Sequence, residues 1–378
     1  MHAKSIKGKS DQEIKTELQK CTDVDFQPTL AIVFVAITQD IDAISKVLIH
    51  QDISIFGATT NGEFIDDEVE KDTTCILLLD LNKDFFKIYL EEYSEQGYRQ
   101  VSHKIAKQSM TDFDKPIFLI AGSNLETNAE EILFGFEVIV GKDVNIFGCM
   151  AGDNFSMTNQ FIFSNVGESN RGLVVLTFDG DKVEMKGRAT CGWKSMGTEK
   201  TVTKSEGNRV YTINDIPALD ITAKYGGVTN LRQDNKDILM EIATNCTIQL
   251  QRENGEAVMR PGLVVNWDDH SFYCSGTVPQ GSKIKFSLPP DFDAIEEVID
   301  QCKDLHSETP DIDAMIYLTC AGRLIAFGPL MSKEIEGIQE VWNVPLVGMF
   351  SNAELGRTKG GNLEMHNLSS CVITLRER

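Results

Sequence analysis

The chain has 378 residues, 42% hydrophobic and 25% charged, enough for roughly two or three domains with a substantial core. Its 57 acidic against 36 basic side chains give a formal net charge of -21, which repels a nucleic-acid phosphate backbone over most of the surface. No apolar run approaches the ~20 residues of a membrane helix, and the basic start at residues 1–9 has no apolar stretch behind it, so a cytoplasmic protein without a membrane span is expected.

In chain order, Ser10-x-x-Glu13 is a capping box for a first helix, and residues 29–38 (TLAIVFVAIT) read as a buried strand. Asp40 caps a helix with Ile41, Ile44, Val47 and Leu48 on one face, and a strand at 53–56 follows. Residues 75–81 and 85–90, joined by Asn82-Lys83-Asp84, predict a hairpin. A helix at 101–109 leads to a strand at 117–121, a Gly122-Ser123-Asn124 loop and a helix opened by the capping box Thr127-x-x-Glu130. From Gln160 the chain turns β-rich, with short strands at 161–164, 172–178 and 183–189. A helical stretch at 217–227 ends in Tyr225-Gly226-Gly227 and marks the expected boundary between domains at 27–220 and 221–378. Beyond it come strands at 262–266 and 283–287, then a helix introduced by Pro289-Pro290-Asp291. Its stripe is Phe292, Ile295, Val298, Ile299, Cys302 and Leu305. A strand at 314–319, a helix capped by Ser332 and strands at 346–349 and 370–375 complete an α+β chain of two domains, each a mixed β-sheet flanked by helices.

Nine scattered cysteines without a Cys-x-x-Cys pair read as reduced, buried thiols, and six histidines without metal spacing make structural zinc unexpected. The Gly-x-Ser-x-Gly elbow and the Gly-x-Gly-x-x-Gly loop after a strand are both missing. Residues 192–198 (GWKSMGT) imitate a phosphate loop without the lysine that should follow the second glycine. A catalytic function is not expected.

The most informative pattern is a phrase that occurs three times: Ile55-Phe56-Gly57-Ala58-Thr59-Thr60-Asn61-Gly62-Glu63, Ile146-Phe147-Gly148-Cys149-Met150-Ala151-Gly152-Asp153 and Leu346-Val347-Gly348-Met349-Phe350-Ser351-Asn352-Ala353-Glu354. Two apolar residues, a glycine and a following acid suit a buried strand that breaks into a loop and delivers a carboxylate to the rim of a sheet. Recurrence in both halves points to an internal duplication whose glycine loops face one cleft. A further strand end, Tyr317-Leu318-Thr319-Cys320-Ala321-Gly322-Arg323, projects an arginine suited either to a ligand carboxylate or to an ion pair with Glu334 or Glu336. Cys320 beside it reads as a buried thiol unless an electropositive setting activates it, and His366-Asn367 as a ligand contact, a haem ligand or a satisfied structural pair.

Taken in order, these motifs resemble the FIST proteins, named for F-box and intracellular signal transduction. Residues 56–63, 147–153, Gly192-Trp193 and 214–218 resemble the FIST N domain. Cys320-Ala321-Gly322-Arg323, Gly328, Glu334, residues 345–348, Glu354-Leu355-Gly356 and His366-Asn367 resemble FIST C. The resemblance covers residues 27–376, and the third phrase departs from it by carrying Ala353 where glycine before the acid is usual. It implies a sensory protein that binds a small polar, amino-acid-like metabolite between its domains. Output would pass to a separate signalling protein, such as a histidine kinase or a cyclic-nucleotide enzyme. The expected ligand-binding residues are Thr59, Thr60, Glu63, Asp153, Arg323, Asn352, Glu354 and His366, with Arg323 as donor fork and Glu63 or Glu354 as carboxylate. Two alternatives stand beside this one: a haem-containing nitric-oxide sensor with His366, His50 or His103 as axial ligand, and an enzyme using Cys320 or Cys149 as nucleophile.

Overall fold

The computed structural model describes residues 1–22, 24–93, 97–124, 128–234 and 238–378. The first eighty residues supply β1 (His2–Gly8), α1 (Asp11–Cys21), β2 (Leu30–Ala36), α2 (Ile41–Ile49), β3 (Ser54–Thr60), a hairpin of β4 (Glu63–Ile65) and β5 (Glu68–Glu70), and β6 (Thr74–Asp80). The same order then recurs as β7 (Phe86–Glu92), α3 (Tyr98–Asp112), β8 (Pro116–Gly122), α4 (Ala129–Val140), β9 (Ile146–Met150), a hairpin of β10 (Ile162–Ser164) and β11 (Gly167–Ser169), and β12 (Gly172–Asp179).

A third copy opens with β13 (Val183–Thr190) and is interrupted by a largely β insertion. The insertion runs through β14 (Ser195–Glu206), β15 (Arg209–Ile213), β16 (Ile216–Pro217), α5 (Ala218–Gly226), α6 (Ile238–Thr244), β17 (Ile248–Leu250), β18 (Val258–Arg260), β19 (Gly262–Asn266), β20 (Ser271–Cys274) and β21 (Lys283–Ser287). The copy resumes with α7 (Asp293–Glu308), β22 (Ala314–Cys320), α8 (Ala321–Phe327), α9 (Met331–Trp342), β23 (Leu346–Ser351), a hairpin of β24 (Ala353–Arg357) and β25 (Leu363–His366), and β26 (Ser370–Glu377).

Three six-stranded mixed sheets form among the described residues, in the orders β1-β6-β2-β3-β10-β11, β7-β12-β8-β9-β24-β25 and β13-β26-β22-β23-β4-β5. Each has one parallel pair at its centre, β2/β3, β8/β9 or β22/β23, because a helix carries the chain from one strand to the next. The hairpin after each glycine phrase leaves its own sheet and pairs with another: β4/β5 joins β23, β10/β11 joins β3 and β24/β25 joins β9. The exchange closes a ring of three.

Strand alternation explains the layers. Leu30, Ile32 and Phe34 of β2 face a core shared with Leu119, Ile316 and Leu318 of the other sheets, while Ala31, Val33 and Val35 face outward with Ile14 and Ile44 of α1 and α2. Helices α3 and α4 cover the second sheet and α7, α8 and α9 the third. The mixed sheets and flanking helices agree with the expected α+β class, with the repeated unit present three times.

Some local expectations are corrected. The segments at 75–81 and 85–90 are not a hairpin: a 3-10 turn at Lys83–Phe85 leads β6 out of one sheet and β7 into another, where it pairs with β12. Ser10 and Asp40 are N-caps as expected, but Ser332 lies inside α9, which follows α8 and a 3-10 turn without a fresh start. Phe292 stands outside α7, exposed, and residues 2–8, for which the sequence predicted no element, form a strand. Thr127 lies outside the described residues, and Asn128 caps α4 through hydrogen bonds from Glu130 N and Glu131 N.

Candidate functional site

The three phrases meet at one end of the ring. Asn61 Nδ2 donates to Asn352 Oδ1 at 2.8 Å, while Asn61 Oδ1 accepts from Asp153 N and Phe155 N. Asn352 Nδ2 in turn donates to the Ala151 carbonyl at 2.7 Å. The first glycine of each phrase, Gly57, Gly148 or Gly348, lies within a strand, whereas Gly62 and Gly152 lie at the turns that follow. Each strand glycine is paired with a residue of the exchanged hairpin, Gly57 with Phe163, Gly348 with Phe64 and Gly148 with Leu355; the open sides of Gly57 and Gly348 face those phenylalanine rings, and that of Gly148 faces Ile120 of β8. A Cβ on Gly348 would lie 2.0 Å from the Phe64 ring, and one on Gly148 2.1 Å from the Ile120 carbonyl oxygen.

The acids of the phrases turn inward. Glu63 accepts from Thr60 Oγ1 at 2.6 Å and Thr73 N at 2.8 Å, and burial raises its pKa against those bonds. Glu354 is its counterpart, held by Ser351 Oγ and Ser369 Oγ at 2.7 Å each; burial lifts it to about 8, so it is largely protonated at neutral pH. Asp153 behaves differently. Burial opposes its charge, but the N–H groups of Asn159, Thr158 and Met157 outweigh it and lower its pKa, and Gln160 Nε2 adds a fourth donor. Thr59 Oγ1 donates to the Gly152 carbonyl at 2.6 Å.

Arg323 lies on α8, fully enclosed, in an ion pair with Glu334, which also accepts from Tyr317 and Ser370. Its other donors reach the carbonyls of Cys191 at 2.7 Å and Leu368 at 3.2 Å, and its plane lies over Trp193 and Phe327. His366 is buried with Nε2 3.2 Å from the Gly356 carbonyl, and burial lowers its pKa to about 4, leaving it neutral.

Beside this junction opens a cavity of about 240 Å³. The second phrase contributes Met150 and Ala151, the third Ser351, Asn352 and Ala353. The loop beyond Asp153 adds Phe155 and Met157, the insertion Leu263 and Ser275, the start of α8 Ala321 and Gly322, and the strand end after β25 Asn367 and Leu368. It thus lies outside the carboxyl ends of two parallel strand pairs, the crevice where open α/β sheets bind ligands. Of the eight expected ligand-binding residues, Asn352 lines it. Thr59, Thr60, Glu63, Asp153, Arg323, Glu354 and His366 are enclosed by protein, and several position the wall: Asp153 ties down the loop that holds Phe155 and Met157, both with positive φ.

Of the pair His366-Asn367, Asn367 lines this cavity together with Met365, while His366, the member expected to bind a ligand, turns its Nε2 to the Gly356 carbonyl. The three candidate haem ligands do not fit it. His366 is turned aside, His50 is exposed with Nδ1 at the Lys46 carbonyl, and His103 lies on α3. Cys320 touches the cavity, yet burial pushes its thiol and that of Cys149 far above the ordinary range, opposing thiolate formation. Among the described residues no His, Cys, Asp and Glu grouping could hold a metal, and no helix is long and apolar enough to cross a membrane.

Comparison with known families matches residues 29–216 to the FIST N domain and residues 218–357 to the FIST C domain. The two matches meet within the insertion, and strands from both share sheets, as β4 and β13 do with β22 and β23. These are sensory signal-transduction domains rather than catalytic ones, which is consistent with a sensory role. No curated protein matches the chain.

Proposed function

The chain belongs to the FIST family, and on that basis we propose that it is a cytoplasmic sensor that takes a small molecule into the cavity beside the glycine-phrase junction and signals its occupancy to a separate protein. The observation that carries this reading is the composition of the wall. The second repeat, the third repeat and the insertion within it all contribute side chains, so a bound molecule touches the three parts at once and can bias how they sit together. A histidine kinase or a cyclic-nucleotide enzyme would serve as the separate partner.

Among the described residues the wall bears no charged side chain, so a zwitterionic, amino-acid-like ligand finds no countercharge in it. The haem and cysteine-nucleophile readings gain no support from the same wall.

Ile325 stands at the mouth, 46% exposed, where a larger side chain can be carried without disturbing the core. Metabolites should be sought that raise the melting temperature of the native chain. Those occupying this cavity should lose their effect in Ile325→Trp. Compounds that stabilise both proteins equally would place the binding site elsewhere.

A further inference from the structure

One amide dominates the polar edge of the cavity. Asn367 is 3% exposed; its Oδ1 accepts from Ser275 Oγ at 2.7 Å and from Arg260 Nη1 at 3.5 Å. A guanidinium can only donate, so the oxygen is fixed on that side. The amide NH2 is then the end without a hydrogen-bond partner among the described residues, on a side chain that lines the cavity. Ser275, having given its proton to Asn367, presents lone pairs beside it.

The remainder of the wall is mainly apolar, with Met150, Phe155, Met157, Leu263, Met365 and Leu368. The charges behind it are engaged: Arg260 with Glu130 at 2.8 Å and the Met259 and Met365 carbonyls, Arg323 with Glu334, and Glu354 between two serines.

We propose that this cavity selects a neutral ligand, an apolar body bearing one carboxamide whose carbonyl oxygen accepts from Asn367 Nδ2 and whose N–H donates to Ser275 Oγ. The proposal rests on the reading of the cavity as the sensory site. Charge decides the class: a carboxylate or ammonium group would shed its hydration against a wall with no free countercharge among the described residues. Volume decides the size. A dry cavity of about 150 Å³ takes the six carbons of benzene, so the 240 Å³ found here scales to a ligand of about ten non-hydrogen atoms. Methionines at three points of the wall let it adapt to more than one body shape.

The test uses methionine-methyl NMR of the full chain, because Met150, Met157 and Met365 report on the cavity directly. The probes are benzamide and hexanamide, their acid counterparts benzoate and hexanoate, leucine, and toluene as a purely apolar control. The amides should shift the three methyl resonances at concentrations at least about tenfold lower than the acids or leucine, as expected if a charge enters without compensation. Acids or leucine binding as well as the amides would overturn the neutral class and leave the cavity standing as a ligand site. No shift with any probe, toluene included, would overturn both. In Asn367→Leu the amides should fall about tenfold towards the affinity of toluene while toluene is unaffected, in keeping with one lost hydrogen bond. Unchanged amide affinity would remove Asn367 from recognition. If that variant fails to fold, Ser275→Ala probes the same contact: a several-fold loss for amides alone supports the assignment, and no loss overturns it.

Discussion

Replacing Arg323 by methionine tests whether its guanidinium serves the fold or a ligand. The substitution keeps the length of an apolar stem but strands Glu334, which is fully buried and bonded to Tyr317 and Ser370. It also removes the donor from the Cys191 and Leu368 carbonyls and the cation lying over Trp193 and Phe327. Breaking a buried pair from one side costs about 3–5 kcal/mol, and the two carbonyls place this case at the upper end. If the 378 residues unfold as one unit, the unfolding entropy is about 0.8 kcal/mol/K, so the melting temperature should fall by about 4–6 °C. The double variant Arg323→Met/Glu334→Leu should recover much of this, since it removes the orphaned charge as well. Thermal and urea unfolding followed by circular dichroism give both numbers. A single variant melting within about 1 °C of the native chain would refute the structural assignment, because a buried charge cannot lose its partner at so small a cost.

Glu354 sets a pH dependence. Its folded pKa of about 8 lies above the ordinary carboxyl value, so its contribution to stability is fully present below about pH 4.5 and is lost as the pH rises towards 8; Glu354→Gln should flatten that decline in urea midpoints, by up to a few kcal/mol at pH 8. His366 acts in the opposite limb: with a folded pKa of about 4, its contribution is present above about pH 6.5 and lost as the pH falls towards 4, and His366→Gln should remove that loss in the same assay. Gly348→Ala should destabilise by about 1–3 kcal/mol through the Phe64 ring, and Gly148→Ala by more, because the Ile120 carbonyl oxygen cannot swing away as a side chain can; equal melting temperatures for the variants and the native chain would contradict this packing. Of the nine cysteines, eight are buried and Cys21 is partly exposed, so a thiol reagent should label about one group quickly and the rest only on unfolding. Fast labelling of Cys320 would count against its enclosure.

The order of the residues was informative wherever a short stretch decides its own conformation. Alternating apolar positions in β2 and the caps at Ser10 and Asp40 are local properties, and the structure has them as expected. The hairpin expected at 75–90 failed for the complementary reason. Two adjacent strands with a short turn between them carry no information about which partner each finds, and here β6 and β7 find partners in different sheets.

Composition and spacing along the chain were enough for the class of fold, the burial of the thiols and the fact of a repeated phrase. What the phrase does depends on how the repeats pack in three dimensions. Its glycines make room for side chains from another repeat, Phe163 and Phe64 among them, its acids are drawn inward to hydroxyls and N–H groups, and its asparagines bind one repeat to the next. A hydrogen bond between residues as far apart as Asn61 and Asn352 leaves no periodic trace in the chain, and neither does the strand alternation that turns Asn367 to the cavity and His366 away until the partner strands are known. Burial then decides the meaning of a charged residue: Arg323, which the sequence alone leaves as either a ligand's donor fork or the ion-pair partner of Glu334 or Glu336, is the counter-ion of Glu334, because inside protein an unpaired charge costs more than any exposed pair returns.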